Sequence, residues 1–408
     1  MKTNKKKNIF DTLKERGYIK QVVFEDDLYK RLGSESMPFY VGFDPTADSL
    51  HIGHYIPIMV MAHMQRAGHK PIALIGGATA LIGDPSGRTD MRTIMTKETV
   101  RANGEAFVGQ MKRFLSFEGK YGAKLVDNGA WLGKLNYLNF LRDVGGYFSV
   151  NKMLTADCYK QRLEKGLTFL EFNYMLMQAY DFWWLFEKHG CRLQVGGNDQ
   201  WSNILAGADL IRRKKNEDAF GLTLTLLETS DGQKMGKTQK GALWLDANKT
   251  TPNEFYQYFR NVEDAKVAEC LKLLTFLPLD EIEEITKHKD QRINEAKKRL
   301  AYEVTKLVHG EEMAIAAQNE ATAAFGGSAD NMEAHKLTLT KDEMVIDLLC
   351  ECKFAVTKSD ARRLIEGGGV RIDDKVVTAV SDTVGMYTDS NEFVLSKGKK
   401  NKIKVVLV

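Results

Sequence analysis

The sequence has few cysteines and none in a recognisable pairing. Its 408 residues include only five, which are Cys158, Cys191, Cys270, Cys350 and Cys352. No two of them have the C-x-x-C spacing of zinc or redox motifs. An odd number of scattered cysteines is typical of free thiols in a reducing compartment, and it argues against a secreted, disulfide-stabilised protein.

Long apolar runs and an excess of one charge are also absent. Residues 1–7 are basic, but no apolar stretch follows that is long enough for a signal peptide or a membrane span. We therefore expect a cytoplasmic protein with no membrane partner. The net charge is only +4, so an argument for nucleic-acid binding needs local clusters of basic residues.

The pattern of apolar residues predicts an α/β fold. Residues 38–43 have the composition of a buried strand, residues 51–67 form a helical pattern closed by Gly68, and residues 71–75 form a second strand. A strand, a helix and a strand within about forty residues make a βαβ unit. This unit predicts a Rossmann-like, doubly wound parallel sheet with ligands at the carboxyl ends of its strands.

A second half of the same sheet follows later in the chain. Thr168 and Glu171 have the spacing of a capping box, and they predict the start of a helix that runs to about Lys188. Residues 191–195 are the next predicted strand, and Asp199 begins another predicted helix.

Composition and periodicity divide the chain into parts. The catalytic domain is predicted at 1–250, a helical domain at 251–325, a linker at 326–340 and a small αβ module at 341–408.

The first candidate for chemistry is His51-Ile52-Gly53-His54, just after the first strand. Two histidines three residues apart lie on one side of the first helical turn, beside backbone amides that no helical carbonyl satisfies, and such an end attracts phosphate. In isolation the histidines could be surface caps, and metal binding lacks a third ligand. In its position between strand and helix, the motif closely resembles the nucleotide-binding signature of class I aminoacyl-tRNA synthetases and related nucleotidylyl transferases.

A second motif supports the first. Residues 234–238 read Lys-Met-Gly-Lys-Thr, and by themselves these two lysines could belong to a solvated loop. The segment resembles the K-M-S-K-S loop of the same class, with Gly236 in place of the central serine, which removes one hydroxyl donor. The two motifs in this order form a specific joint signal.

The helix predicted at 168–188 is apolar on nearly all sides, yet Tyr174, Gln178 and Asp181 form one polar stripe along it. Buried polar groups need partners. The stripe is therefore either an internal hydrogen-bond network or the wall of a pocket for a ligand with an ammonium group and a hydroxyl.

Blocks at 40–46, 76–79, 82–87, 171–181 and 194–201 narrow the resemblance to the bacterial tyrosyl-tRNA synthetases. It implies that Tyr40 and Asp181 recognise the phenolic hydroxyl of tyrosine. The residues implied around its ammonium and carboxylate groups are Asp84, Tyr174, Gln178 and Gln194.

The resemblance also implies contacts to ATP from Gly42, Asp44, His51, Gly53, His54, Gly196, Asp199, Gln200, Lys234 and Lys237. The residues expected to stabilise developing charge on the phosphates are Thr46, His51, His54, Lys234 and Lys237. Magnesium is expected to arrive with ATP, and no protein-bound metal is predicted.

The last module has clustered basic residues and resembles an S4-type RNA-binding domain. Its candidate RNA contacts are Arg362, Arg363, Arg371, Lys397, Lys399 and Lys400. A solubilising module is the alternative interpretation.

The resemblance implies a homodimer that activates tyrosine with ATP and transfers it to the terminal adenosine of tRNA(Tyr), with the helical domain recognising the anticodon. Three alternatives remain open. They are a tryptophanyl enzyme of the same class, a small-metabolite nucleotidylyl transferase, and a decayed synthetase that only binds RNA.

Overall fold

The computed structural model describes residues 7–86, 95–238, 241–288, 290–326, 334–398 and 401–407. The chain forms two compact units, Met1–Ala314 and Ile315–Val408. Residues 251–314 belong to the same unit as the large sheet. The four-part division proposed from the sequence remains a prediction.

The first unit is built on a six-stranded sheet. Its strands are β1 (Ile19–Val23), β2 (Pro38–Phe43), β3 (Lys70–Ile75), β4 (Lys124–Asp127), β5 (Leu193–Gly197) and β6 (Phe220–Leu224). They lie in the order β1-β6-β5-β2-β3-β4; β2 to β6 are parallel and β1 is antiparallel to β6. The predicted doubly wound parallel sheet is confirmed, with an antiparallel edge strand that the sequence analysis did not predict. The strand order reverses between β2 and β5, so ligands are expected at their carboxyl ends.

Helices cover the sheet and continue beyond it. They are α1 (Ile9–Arg16), α2 (Glu25–Ser34), α3 (Ile52–Ala67), α4 (Lys97–Met111), α5 (Gly129–Leu132), α6 (Tyr137–Asp143), α7 (Val150–Leu154), α8 (Asp157–Lys165), α9 (Phe169–Phe172), α10 (Tyr174–His189), α11 (Trp201–Lys215), α12 (Pro252–Arg260), α13 (Val267–Leu274), α14 (Leu279–Thr286), α15 (Ile293–His309) and α16 (Glu311–Gly326). A short hairpin, β7 (Lys237–Thr238) and β8 (Gly241–Ala242), follows β6.

The helix predicted at 168–188 is wrong in one respect, because Asn173 divides it into α9 and α10. The capping box of Thr168 and Glu171 is present, as predicted. The Asn173 side chain donates a hydrogen bond to the Phe169 carbonyl at 2.7 Å. Asparagine side chains compete in this way with helical backbone bonds, and α10 therefore starts afresh at Tyr174.

Side chains near the N-terminus hold the later helices against the sheet. The buried Arg16 guanidinium donates to the carbonyls of Lys272 and Thr275 at 2.8 and 2.9 Å, beside the carboxyl end of α13. The Tyr18 hydroxyl donates to the Leu273 carbonyl at 2.6 Å, and Tyr55 donates to the next carbonyl of α13. The last carbonyls of a helix have no partner within it, so these bonds satisfy groups that would otherwise be buried and unpaired.

The second unit contains a five-stranded sheet in the order β11-β10-β12-β13-β9 and two helices. These elements are β9 (Ala334–Leu337), α17 (Val345–Glu351), α18 (Lys358–Glu366), β10 (Val370–Ile372), β11 (Lys375–Val376), β12 (Glu392–Lys397) and β13 (Asn401–Leu407). Thr357 caps α18, since its hydroxyl accepts from the Asp360 amide at 3.1 Å. Among the helices described in either unit, none is both long and apolar enough to span a membrane.

Candidate active site

The first helical turn of α3, residues 51–54, is called the histidine turn here. His51 is the N-cap of α3, and its Nδ1 accepts from the Gly53 amide at 3.0 Å. His54 Nδ1 accepts from the His51 amide at 3.2 Å, so the two histidines form a reciprocal capping box. Their rings lie 4.1 Å apart between centroids, and burial lowers the pKa of His51. Because both Nδ1 atoms accept, each neutral ring carries its proton on Nε2.

The expectation that free backbone amides at this turn would meet a phosphate is wrong. Every amide from His51 to His54 has a partner: the histidine rings satisfy those of His51 and Gly53, the Leu243 carbonyl satisfies Ile52, and the His51 carbonyl satisfies His54. The His51 ring, which lines the neighbouring cavity, presents its Nε2–H as a donor to an anion. Gly53 leaves space for the His51 ring, because a Cβ at this position would lie 2.7 Å from that ring.

Residues 228–238 are called the lysine loop, and they lie directly beside the histidine turn. The Leu243 carbonyl accepts from the Ile52 amide at 3.0 Å, and the Leu243 amide donates to the Gly236 carbonyl at 2.7 Å. Gly236 has φ +90°, and a Cβ built on it would lie 1.9 Å from the Ile52 Cγ2. Only glycine suits this backbone conformation and this contact. The glycine that replaces the usual serine is therefore required by the packing of one motif on the other.

The two motifs share a cavity of about 240 Å³ at the carboxyl ends of β5 and β6. Its lining includes His51, Gly53 and Lys234 together with Gly197 and apolar residues 224 and 226–227. A cavity with an apolar wall, one histidine and a cation suits a flat base joined to an anionic group.

Three other predicted ATP or catalytic residues lie near the end of β2. Gly42 is exposed, and a Cβ on it would meet open space. Asp44 is half-buried and accepts from the Thr79 hydroxyl at 2.8 Å, and Thr46 is exposed two residues further on. The Lys237 backbone pairs with Ala242 in the β7–β8 hairpin, and its side chain lies outside the described part of the structure.

The polar stripe of α10 forms hydrogen bonds inside the fold. Asp181 is buried, and its two carboxylate oxygens accept from the side chains of Asn128 at 2.8 Å and Trp131 at 2.7 Å. Asn128 also donates to the Thr79 hydroxyl at 3.0 Å, and the Tyr174 hydroxyl donates to Asp44 at 2.9 Å. Burial raises the pKa of Asp181 to about 8, although its two donors oppose that shift.

Gln178 belongs to a second network. It donates to the Gln200 Oε1 at 3.1 Å, and Gln200 donates to Asp84 at 2.7 Å and to Asp199 at 3.2 Å. Burial raises the pKa of Asp84 to about 6. All three side chains of the stripe therefore form hydrogen bonds inside the fold. The two networks place carboxylates and amides along one side of α10.

Among the buried side-chain polar atoms that lack a hydrogen-bond partner within the described residues, two lie on neighbouring strands at the switch point of the sheet. They are the Tyr40 hydroxyl and the Gln194 Oε1. Tyr40 and Gln194 pair directly in the parallel register of β2 and β5, so their side chains lie on the same face of the sheet. A buried, unpaired polar atom is costly. Two such atoms at adjacent positions of the topological switch point indicate the place of a polar ligand.

Asn128, Trp131 and Thr79 were missed by the sequence analysis. Asn128 directly follows β4, and polar residues that follow parallel strands collect at one edge of a sheet, which was the available signal. Trp131 carried no such signal.

Gly196, a predicted ATP contact, is packed against the Gln200 side chain, because a Cβ built on Gly196 would lie 3.2 Å from the Gln200 Cβ.

In the described parts of the chain no group of three or more His, Cys, Asp or Glu side chains could hold a metal ion.

In the second unit, Arg362, Arg363 and Arg371 are exposed. Lys397 is half-buried and donates to the Phe354 carbonyl at 2.6 Å. The predicted RNA contacts Lys399 and Lys400 lie outside the described residues.

Known proteins resemble this chain along nearly its whole length. The family model described as class I tRNA synthetases (W and Y) matches residues 33–326, and the S4 domain model matches residues 346–386. The tyrosine–tRNA ligase of Acetivibrio thermocellus is 57% identical in an alignment 408 residues long, which covers 98% of this chain and 100% of that relative. The tyrosine–tRNA ligase of Clostridium tetani is 53% identical over 404 residues, covering 98% and 99%.

Among solved structures, a C-terminally truncated mitochondrial tyrosyl-tRNA synthetase from Aspergillus nidulans is similar at a TM-score of 0.71 and 34% identity. The match covers 79% of this chain and 96% of that chain. The family model includes both the tryptophan and the tyrosine enzymes, whereas both sequence relatives are named for tyrosine.

Proposed function

Because the chain belongs to the class I tRNA synthetases of the tryptophan and tyrosine family, and its sequence relatives identify it as a tyrosine–tRNA ligase, we propose how its residues carry out the ligase reaction. Its substrates are tyrosine, ATP and tRNA. The tyrosine carboxylate attacks the α-phosphate of ATP in line and pyrophosphate leaves. The tyrosyl-adenylate then acylates the terminal adenosine of tRNA(Tyr). No side-chain nucleophile is required, so positioning and charge stabilisation supply the rate.

The phenol of tyrosine is assigned to Tyr40 and Asp181. The single observation that supports this assignment is the buried Tyr40 hydroxyl without a partner, in register with the similarly unpaired Gln194 oxygen. A substrate hydroxyl can donate to the Asp181 carboxylate and accept from Tyr40, while Gln194 lies near the carboxylate end of the substrate. Phenylalanine would leave these buried groups unpaired.

The ammonium group is assigned to Asp84, Tyr174 and Gln178. The Tyr174 hydroxyl donates to Asp44 and the Gln178 amide donates to Gln200. These bonds use hydrogens, and the oxygen of each side chain is proposed as the acceptor for the substrate ammonium. Asp84 supplies the opposite charge.

ATP is assigned to the cavity shared by the histidine turn and the lysine loop. The Nε2–H groups of His51 and His54 and the ammonium groups of Lys234 and Lys237 would donate to the phosphates, and Thr46 would add a hydroxyl. The remaining contacts to the nucleotide are assigned to Gly42, Asp44, Gly53, Gly196, Asp199 and Gln200. Magnesium is proposed to arrive with ATP, where it would neutralise charge on the departing pyrophosphate.

Amino-acid-dependent exchange of labelled pyrophosphate into ATP tests this function without RNA. All twenty amino acids are assayed separately. Exchange with tyrosine alone is the expected result, because only the phenol satisfies both Tyr40 and Asp181. Exchange with tryptophan would contradict the pocket assignment, and no exchange at all would favour the RNA-binding alternative.

Asn128 is expected to act on tyrosine through Asp181. Asn128→Ala leaves one buried oxygen of the Asp181 carboxyl group without its donor, and an unsatisfied buried polar atom costs roughly 1–3 kcal/mol. We expect kcat/KM for tyrosine to fall by about 5- to 150-fold, with the KM for ATP unchanged. Steady-state exchange rates measured at varied tyrosine and at varied ATP give the kinetic constants for each substrate separately. Asn139→Ala, on the exposed helix α6, is the control variant, and an equal rise in both KM values would mean general damage to the site.

A homodimer is proposed from a concentration of exposed apolar side chains. Eight large apolar residues between 137 and 170 are exposed, and they are Tyr137, Leu138, Leu141, Val150, Leu154, Leu163, Phe169 and Leu170. Leu138 is 72% exposed and Phe169 is 69% exposed. Apolar side chains grouped in this way are typical of an interface between subunits.

Replacing Leu138 and Phe169 together with aspartate is expected to give monomers. Sedimentation velocity of the full chain would show a dimer for the parent and a monomer for the double variant, because two desolvated carboxylates disfavour association. Met313→Asp, at a residue 48% exposed on α16, is the matched control and should stay dimeric. A monomeric parent, or a dimeric double variant, would contradict the proposed interface.

The exposed arginines 362, 363 and 371 of the second unit are proposed to contact tRNA phosphates, as part of the S4 domain. Residues 251–325 are proposed to recognise the anticodon. The cytoplasm is the proposed location, since tRNA and ATP are found there.

A further inference from the structure

The lysine loop is attached to α12, a helix outside the sheet. The Gly236 amide donates to the Tyr258 hydroxyl at 2.8 Å. The Ser230 amide donates to the Glu263 carboxylate at 3.2 Å, and the Ser230 hydroxyl donates to the same oxygen. Both ends of the loop segment 230–236 are therefore bonded to the segment 252–263.

These bonds carry much of the positioning, because the loop and α12 are not packed together closely. A cavity of about 560 Å³ lies between them, lined by Met235 and Ala242 on one side and by Gln257 and Tyr258 on the other. Where such a space separates two elements, few van der Waals contacts hold their distance. The hydrogen bonds that cross it fix the distance between the loop and α12, in addition to the bond from the Leu243 amide to the Gly236 carbonyl.

Tyr258 acts on the central residue of the motif. Gly236 is the residue that packs on Ile52 of the histidine turn, and it is flanked within two residues by both loop lysines. Tyr258 is half-buried and burial raises the pKa of its hydroxyl, so at neutral pH the oxygen is uncharged and can accept the Gly236 N–H. Displacement of this one amide would move both lysines relative to the histidines.

We propose that Tyr258 is a positioning residue for adenylate formation, which holds the Gly236 amide so that Lys234 and Lys237 face the phosphates bound at the histidine turn. Tyr258 does not touch the substrates. This inference rests on the proposed role of the lysine loop in ATP binding.

Tyr258→Phe tests the proposal by removing only the accepting oxygen. Loss of one neutral hydrogen bond lowers a rate constant or an equilibrium constant roughly 3- to 10-fold. We expect kcat for tyrosine-dependent pyrophosphate exchange to fall by about that factor. The KM for tyrosine should not change, because the tyrosine pocket lies on α10 and β2. Tyr302→Phe, which removes a hydroxyl on α15 that donates to Glu311, is the matched control and should keep the parent kinetics. Equal melting temperatures of parent and variant would exclude unfolding as the cause.

A double-mutant cycle separates positioning from a general structural role. In the background Lys234→Ala with Lys237→Ala, Tyr258→Phe is expected to have little further effect, since no loop cation remains to be positioned. An independent loss of the same size in both backgrounds, or parent activity in Tyr258→Phe, would overturn this proposal. A parent without any exchange activity would instead overturn the proposed function.

Discussion

Alanine at both Lys234 and Lys237 is expected to lower kcat for tyrosine-dependent pyrophosphate exchange by about 10²- to 10³-fold, the usual loss when a preorganised donor to developing charge is removed. Lys234 lines the cavity that also contains His51, and Gly236, which stands between the two lysines in the sequence, packs on Ile52. The lysines meet charge that grows on the pyrophosphate during the reaction. Their loss should therefore appear in turnover more than in ground-state binding.

Equilibrium binding of tyrosine, followed by tryptophan fluorescence, should be unchanged in this double variant, because its pocket uses other residues. Alanine at both Lys287 and Lys298, two exposed lysines of the helical part, is the charge-matched control. Exchange at the parent rate in the Lys234 and Lys237 variant would remove the lysine loop from the mechanism.

Gly236→Ala is expected to lower the same kcat by roughly 100-fold, although it adds only one methyl group. The new Cβ would lie 1.9 Å from the Ile52 Cγ2, so the loop or the histidine turn has to shift by an ångström or more. A misplacement of about 1 Å in a catalytic constellation typically costs about 10²-fold. Gly236→Ser should be equally poor, even though it restores the serine of the usual motif.

Gly232→Ala is the matched control for this prediction. Gly232 lies in the same loop at φ +78°, but a Cβ there meets nothing within 4 Å. Its effect measures the backbone cost of a positive φ alone, and we expect a small loss. Ile52→Ala in the Gly236→Ala background should recover part of the activity by making space. A Gly236→Ser variant as active as the parent would show that the contact with Ile52 is not required.

The position of the histidine turn could be predicted because it depends on local sequence. A buried strand, a polar loop and a helical pattern place His51 and His54 at the carboxyl end of β2 whatever the rest of the chain does. Local sequence could not predict whether the backbone amides of the histidine turn already have hydrogen-bond partners. Ring rotamers decide whether an imidazole caps its own helix, and the Leu243 carbonyl that satisfies Ile52 comes from nearly two hundred residues away.

Tertiary contacts explain the other differences. Asn128 reaches Asp181 only because β4 lies beside β3, and sequence spacing alone does not state which strands are neighbours. Gly236 was interpreted from the sequence as the loss of a hydroxyl, whereas its φ and its contact with Ile52 give the physical reason for glycine. Asn173 divides a helix whose apolar periodicity continues across it, because a side-chain hydrogen bond outweighs the pattern.

The bonds from Arg16 and Tyr18 to the end of α13 limit how the protein can be dissected. A fragment that stops at residue 250, where composition suggests a domain boundary, would leave a buried guanidinium and a buried phenol without their acceptors. The sheet and the helices up to about residue 314 should instead unfold in one cooperative transition and protect their amides from hydrogen exchange together. A minimal adenylate-forming fragment therefore has to keep the helices that appear, from the sequence, to be a separate module.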